Sequence, residues 1–131
     1  MQKPHPPLYL AGYTPGAMRR VAETGNGWNP AGVPVEPMAQ MLSAIRAMAR
    51  DAGRTAEEVD LVVRANCHLT HEPEPHGRAA FAGSIDQLVD DTKAVEALEA
   101  AEIFFDVQYS PNVNTTSDVV ERMEHIWAAL H

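Results

Sequence analysis

The stretch Pro7 to Gly32, PLYLAGYTPGAMRRVAETGNGWNPAG, constrains the fold more than any other part of the chain. It compresses a strand, a glycine turn, a capped helix and a second strand into one βαβ unit. Leu8 to Ala11 is apolar and lies between prolines and a glycine, which predicts a buried parallel strand. Thr14 offers a hydroxyl to cap the next helix, and Pro15 suits the first helical position, where no amide is required. Ala17, Met18, Val21 and Ala22 recur at helical spacing, and Gly25 predicts the stop. A turn of this kind, Gly12 to Gly16, points amides at one spot with the positive end of a helix dipole behind them, which suits a phosphate. A purely structural turn explains the same spacing, and both readings stand at this point.

The rest of the chain repeats the unit. Gly27 to Pro30 is read as the second strand. Met38, Met41, Leu42, Ile45, Met48 and Ala49 form the apolar stripe of a long helix that ends at Gly53. Thr55 with Glu58 matches a capping box. From Leu61 to Leu69, one parity is apolar (Leu61, Val63, Ala65, Cys67, Leu69) and the other carries Arg64, Asn66 and His68. Thr70 to Gly83 is read as a loop. Ser84 with Gln87 is a second capping box, and Ile85, Leu88, Val89, Thr92 and Val95 make the third helix. Glu102 to Tyr109 returns to strand with Asp106 and Gln108 on one parity, and Val119, Val120, Met123, Ile126, Trp127 and Leu130 mark a final helix. Four βα units with no composition break predict one α/β domain over residues 1–131, with residues 1–6 as an ill-ordered lead-in. They fit either a small open doubly wound sheet or half of a (β/α)8 barrel, since 131 residues is about half of the roughly 250 typical of that fold.

Composition excludes some partners. A net charge of −8 argues against nucleic acid and anionic membrane. The single cysteine, Cys67, allows no internal disulfide, and no apolar run is long enough to span a membrane. The expected location is therefore cytoplasmic. Cys67, His68, His71 and His76 lack a recognised ligand spacing, so no metal site is expected.

LYLAGYTPGAMRRVAETGNGWNPAG, the helix ending AMARDAGR, and FAGSIDQLVDDTKAVEALEAAEIFFD together resemble the C-terminal half of the bacterial luciferase-like monooxygenase family, in particular its FMN- or coenzyme F420-dependent oxidoreductases. The resemblance runs from Pro7 to Leu130. It departs locally at Asn26-Gly27-Trp28, where the family often has Asp-Gly-Trp. It implies strands five to eight of a TIM barrel, with the cofactor at the carboxyl ends of the strands. It further implies that Gly12, Tyr13 and Thr14, with Asn29, Ala31 and Gly32, form the phosphate end of an FMN or F420 site. Asn66, His68, Asp106 and Gln108 are the polar groups expected to line the open end, where ordinary solvated polar residues are the competing reading. In such enzymes much of the ring pocket and several catalytic side chains come from the N-terminal half, so no catalytic residue is assigned.

Two function classes follow. One is a flavin or deazaflavin oxidoreductase that completes its barrel with another chain, and the other is a non-catalytic remnant or cofactor-binding module. Four barrel strands leave two edges, at Leu8 to Ala11 and Glu102 to Tyr109, so a homodimer or a separately encoded N-terminal half is the expected partner. A flattened four-stranded sheet with helices on both faces would need none.

Overall fold

The computed structural model describes residues 3–131, so residues 1–2 of the expected lead-in lie outside the described residues, while Lys3 to Pro6 is exposed. The elements are strand β1 (Tyr9–Leu10), helix α1 (Pro15–Thr24), β2 (Gly27–Trp28), α2 (Val35–Asp51), a 3-10 turn (Ala56–Glu58), β3 (Asp60–Asn66), β4 (His68–Leu69), β5 (Ala82–Gly83), α3 (Ile85–Glu96), β6 (Glu102–Asp106) and α4 (Thr116–Leu130). The main sheet has the order β1-β2-β3-β6 and β4 pairs with β5, every pair being parallel. This is an α/β fold on a parallel sheet. The strand order follows the chain without the reversal that defines a doubly wound sheet.

The helices begin where local chemistry directs them. Thr14 Oγ1 accepts the Ala17 amide at 3.3 Å, with Pro15 inside the first turn of α1. Ser84 and Gln87 form the reciprocal cap of α3, and Thr115 with Asp118 that of α4. Each helix packs on the next along the chain. Their apolar stripes, Met18, Val21 and Ala22 on α1 and Met38, Leu42, Ile45 and Ala49 on α2, meet Leu61, Val63 and Ala65 of β3 in one core with Trp28, Phe81, Leu88, Val95 and Ile126. Asn26 accepts the Leu8 amide through Oδ1 at 2.9 Å, a role a carboxylate oxygen could equally fill.

The strands differ from expectation at several points. β1 is short and not buried, with Leu8 and Tyr9 exposed, because it is an outer strand. The strand expected over Leu61 to Leu69 breaks at Cys67, where the partner changes: the Cys67 amide donates to Asp106 O, whereas the His68 amide donates to Phe81 O. The loop expected over Thr70 to Gly83 therefore ends in a strand, and β6 stops at Asp106. The second parity of β3 is not uniformly polar either, since Val62 is buried.

Candidate cofactor site

All four main strands run in one direction, so their carboxyl ends bring Gly12, Asn29, Asn66 and Asp106 to the same edge of the sheet. At the β1–β2 corner the two expected segments meet. The Trp28 indole N–H donates to Gly12 O at 3.0 Å, and its ring stands edge-on to Tyr13 at 6.4 Å between centroids. The Tyr13 hydroxyl donates to Ala31 O and accepts the Ala31 amide, each at 3.0 Å. Asn29 reaches across to β3, donating from Nδ2 to Val62 O at 2.6 Å. Gly12 and Tyr13 are thus tied to Trp28 and Ala31, and Asn29, between those two in sequence, ties the corner to β3.

This geometry also reassigns the role of Gly12. Its φ is +141°, and a Cβ there would lie 2.4 Å from Ala17 Cβ, so glycine is required by the packing of α1 whatever approaches from outside. Of the amides in the first turn of α1, Pro15 has none, that of Ala17 goes to Thr14 Oγ1 and that of Met18 to Thr14 O. Gly16, an exposed residue, supplies the remaining amide, and no acidic residue lies in that turn. The Ala31 amide is already held by Tyr13. Gly32 has φ +68° and nothing within 4 Å of an added Cβ, so it lies at the open side of the corner.

Further along the edge, residues in register share a face: Arg64 with Phe104, and Asn66 with Asp106. Ala31 bridges to Arg64, which joins the corner to this second group. Arg64 Nη2 and Asp106 Oδ2 lie 2.5 Å apart, and Asp106 Oδ1 accepts the Gln108 amide at 3.1 Å. The Arg64 hydrogen bond holds the Asp106 carboxyl below the usual aspartate range, against the opposing effect of burial. Asn29, Arg64, Phe104, Asp106 and Gln108 line one open depression of about 520 Å³. Of the four polar groups expected at the open end, Asp106 and Gln108 are therefore together in it. Asn66 and His68 are not among its lining: the Asn66 Oδ1 is buried without a hydrogen-bond partner, and His68 Nδ1 is 3.2 Å from Tyr109 O.

Cys67 is buried, and burial pushes its thiol up to about 12, which suppresses the thiolate that reactivity needs. Among the described residues no three His, Cys, Asp or Glu side chains gather in a way that could hold a metal ion, and no helix is long and apolar enough to cross a membrane. Sequence reading missed Arg64 as an ion-pair partner, Ser110, whose hydroxyl donates to Cys67 O at 2.6 Å, and the pair of Arg78 with Asp91. None has a diagnostic local spacing.

A parallel α/β sheet that collects loops and polar groups beyond the carboxyl ends of its strands is the architecture of a ligand- or cofactor-binding α/β protein. The chain belongs to the luciferase-like monooxygenase family, whose model matches residues 1–127. Among solved structures it is similar to the coenzyme F420 dependent tetrahydromethanopterin reductase of Methanopyrus kandleri, at 14% identity and TM-score 0.64 over 92% of this chain and 51% of that one. It is similar to a riboflavin lyase solved with modified FMN and riboflavin, at 14% identity and TM-score 0.66 over 95% and 42%. A monooxygenase from Streptomyces bottropensis matches at 19% identity and TM-score 0.66 over 98% and 48%. At these identities the likeness establishes the fold, and the chain spans about half the length of these structures or less.

Proposed function

We propose that the chain supplies strands five to eight of a flavin- or F420-dependent oxidoreductase barrel and holds the cofactor's phosphate beside the β1–β2 corner. The observation that carries this reading is the junction of Gly12 to Thr14 with Asn29 to Gly32 at the carboxyl ends of parallel strands in a luciferase-like chain. The donor set suits a phosphate: Gly16, whose amide is left over at the positive end of α1, is exposed, and no carboxylate lies in the first turn. When bound, such a cofactor supplies hydride or oxygen chemistry. This chain's own part is to anchor the phosphate at Gly12 to Gly16, to keep the loop at Ala31 and Gly32 in place through Tyr13, and to fix Arg64 with Asp106 beside the depression.

Gly16→Glu separates binding from folding. A carboxylate in the first turn favours the helix dipole by about 0.5 kcal/mol, yet it repels a phosphate at the same place. Fluorescence titration with FMN and with F420 is expected to show affinity falling about tenfold in a variant at least as stable as the wild type, since each tenfold is about 1.4 kcal/mol. Equal affinity in both proteins overturns the anchor. Turnover of reduced cofactor then separates an oxidoreductase from a module that only binds.

The barrel would be closed by a second copy, or by a separately encoded N-terminal half. Supporting this, β1 and β6 are the outer strands of the sheet, and Leu8, Tyr9 and Phe104 are exposed apolar side chains on or beside them. Light scattering is expected to show a species larger than one chain. A stable folded species of 14.3 kDa overturns closure by a second copy.

A further inference from the structure

A second depression lies apart from the corner, between the loop that follows β4, the loop that follows β6, and α4. Its lining comprises Leu69, Thr70, His71, Pro111, Asn112, Arg122 and His125, and its volume of about 440 Å³ falls within the roughly 300–1,000 Å³ of small-molecule sites. No carboxylate lines it, in a chain whose 18 acidic residues outnumber its 10 lysines and arginines, so the local charge runs against the whole. Arg122 forms no ion pair among the described residues, whose three salt bridges involve Arg54, Arg64 and Arg78. The nearby carboxylate Asp118 feels the charge of Arg122 but forms no ion pair with it, because its Oδ2 accepts the Asn114 and Thr115 amides at 2.9 and 2.7 Å in the cap of α4. The Thr70 hydroxyl is likewise occupied, donating to Glu72 O at 2.6 Å.

We propose that this depression is an anion-binding site for a phosphate-bearing small molecule, with Arg122 as the principal contact and His71, His125 and Asn112 as the surrounding donors. Three separate elements contribute these groups: His71 comes from one loop, Asn112 from another, and Arg122 and His125 from one face of α4, three residues apart. A carboxylate has two oxygens in one plane, which a single guanidinium fork satisfies. A phosphate monoester presents three terminal oxygens tetrahedrally, so acceptor positions remain out of the guanidinium plane for donors arriving from other sides. The site is independent of the cofactor reading, because it shares no residue with the β1–β2 corner.

The test is a titration of the full chain with inorganic phosphate at fixed ionic strength, followed by isothermal calorimetry and by the imidazole signals of His71 and His125 in NMR. Saturable binding that shifts both imidazoles is expected, with Arg122→Gln weakening it about tenfold or more, as loss of a charge-assisted contact does. His71→Gln, on a loop and outside every helix, is expected to weaken it less and guards against a folding defect in the helix variant. Lys93→Gln, on α3, is expected to leave it unchanged. Absence of saturable binding, or equal binding in the wild type, Arg122→Gln and His71→Gln, overturns the site. Acetate binding as tightly as phosphate overturns the tetrahedral assignment.

Discussion

The β1–β2 corner and the β6 edge sit at opposite sides of the same sheet, and they treat their polar groups in opposite ways. At the corner, Trp28 is fully buried with its N–H on Gly12 O, and Tyr13 closes both polar groups of Ala31 at once. At the edge, Phe104 is 39% exposed, Arg64 is half-open, and the ion pair to Asp106 has one member in contact with water. The corner is thus complete within the chain and holds its shape without a ligand. The edge ties its charges to each other with one of them in water, and like β1, where Leu8 and Tyr9 are exposed, it leaves an apolar side chain uncovered. A preformed corner orients a ligand at little cost in ordering, whereas an unfinished edge gains most from another surface.

The comparison breaks first at Trp28. Trp28→Ala empties a fully buried site and releases Gly12 O, so a loss of about 3–5 kcal/mol is expected in urea unfolding. A loss under about 1 kcal/mol would show that the corner is not the stable half. Next is Tyr13→Phe, which keeps the ring against Trp28 and removes only the hydroxyl. About 1 kcal/mol is expected, with the NMR amide signal of Ala31 moving most. The smallest effect belongs to the edge: Asp106→Asn keeps an acceptor for the Gln108 amide but discharges the partner of Arg64, and below about 1 kcal/mol is expected for so exposed a pair. Its pH dependence has a definite sign. Because the folded Asp106 carboxyl is lowered, the pair's stabilisation is present above the ordinary aspartate value of about 4 and is lost as pH falls through the depressed one. The stability difference between wild type and variant should therefore narrow in acid. A difference that stays constant from pH 7 into acid removes the pair as a source of stability.

Sequence reading succeeded where the cause is local. The caps at Thr14 and Ser84, the first-turn proline of α1 and the apolar stripes of α1 and α2 act over three to four residues, and all are visible as spacing. The break at Cys67 was invisible for a physical reason: alternation of faces continues unaltered while the hydrogen-bonding neighbour changes from β6 to β5. The candidate site was legible as segments and not as contacts. Tyr13 meets Ala31 across 18 residues and Arg64 meets Asp106 across 42, distances at which no periodicity carries information. Gly12 was legible as a glycine that had to be one, but for a cause outside the turn, the Ala17 side chain one helical turn away.

The Arg78–Asp91 pair sets how one part of this chain opens. Asp91 on α3 accepts the Phe81 amide at 2.7 Å as well as the Arg78 guanidinium, while Arg78 also donates to Ala82 O at 2.8 Å. Gln87 adds Glu74, exchanging both backbone groups of that residue with its side-chain amide at 2.8 Å each. The segment from Glu74 to Gly83 is thereby fastened to α3 at two points one turn apart. It lacks regular structure for most of its length, yet it cannot fray one residue at a time. Exchange of the Phe81 amide therefore requires its bond to the Asp91 carboxylate to break, which couples the protection of this segment to its attachment on α3.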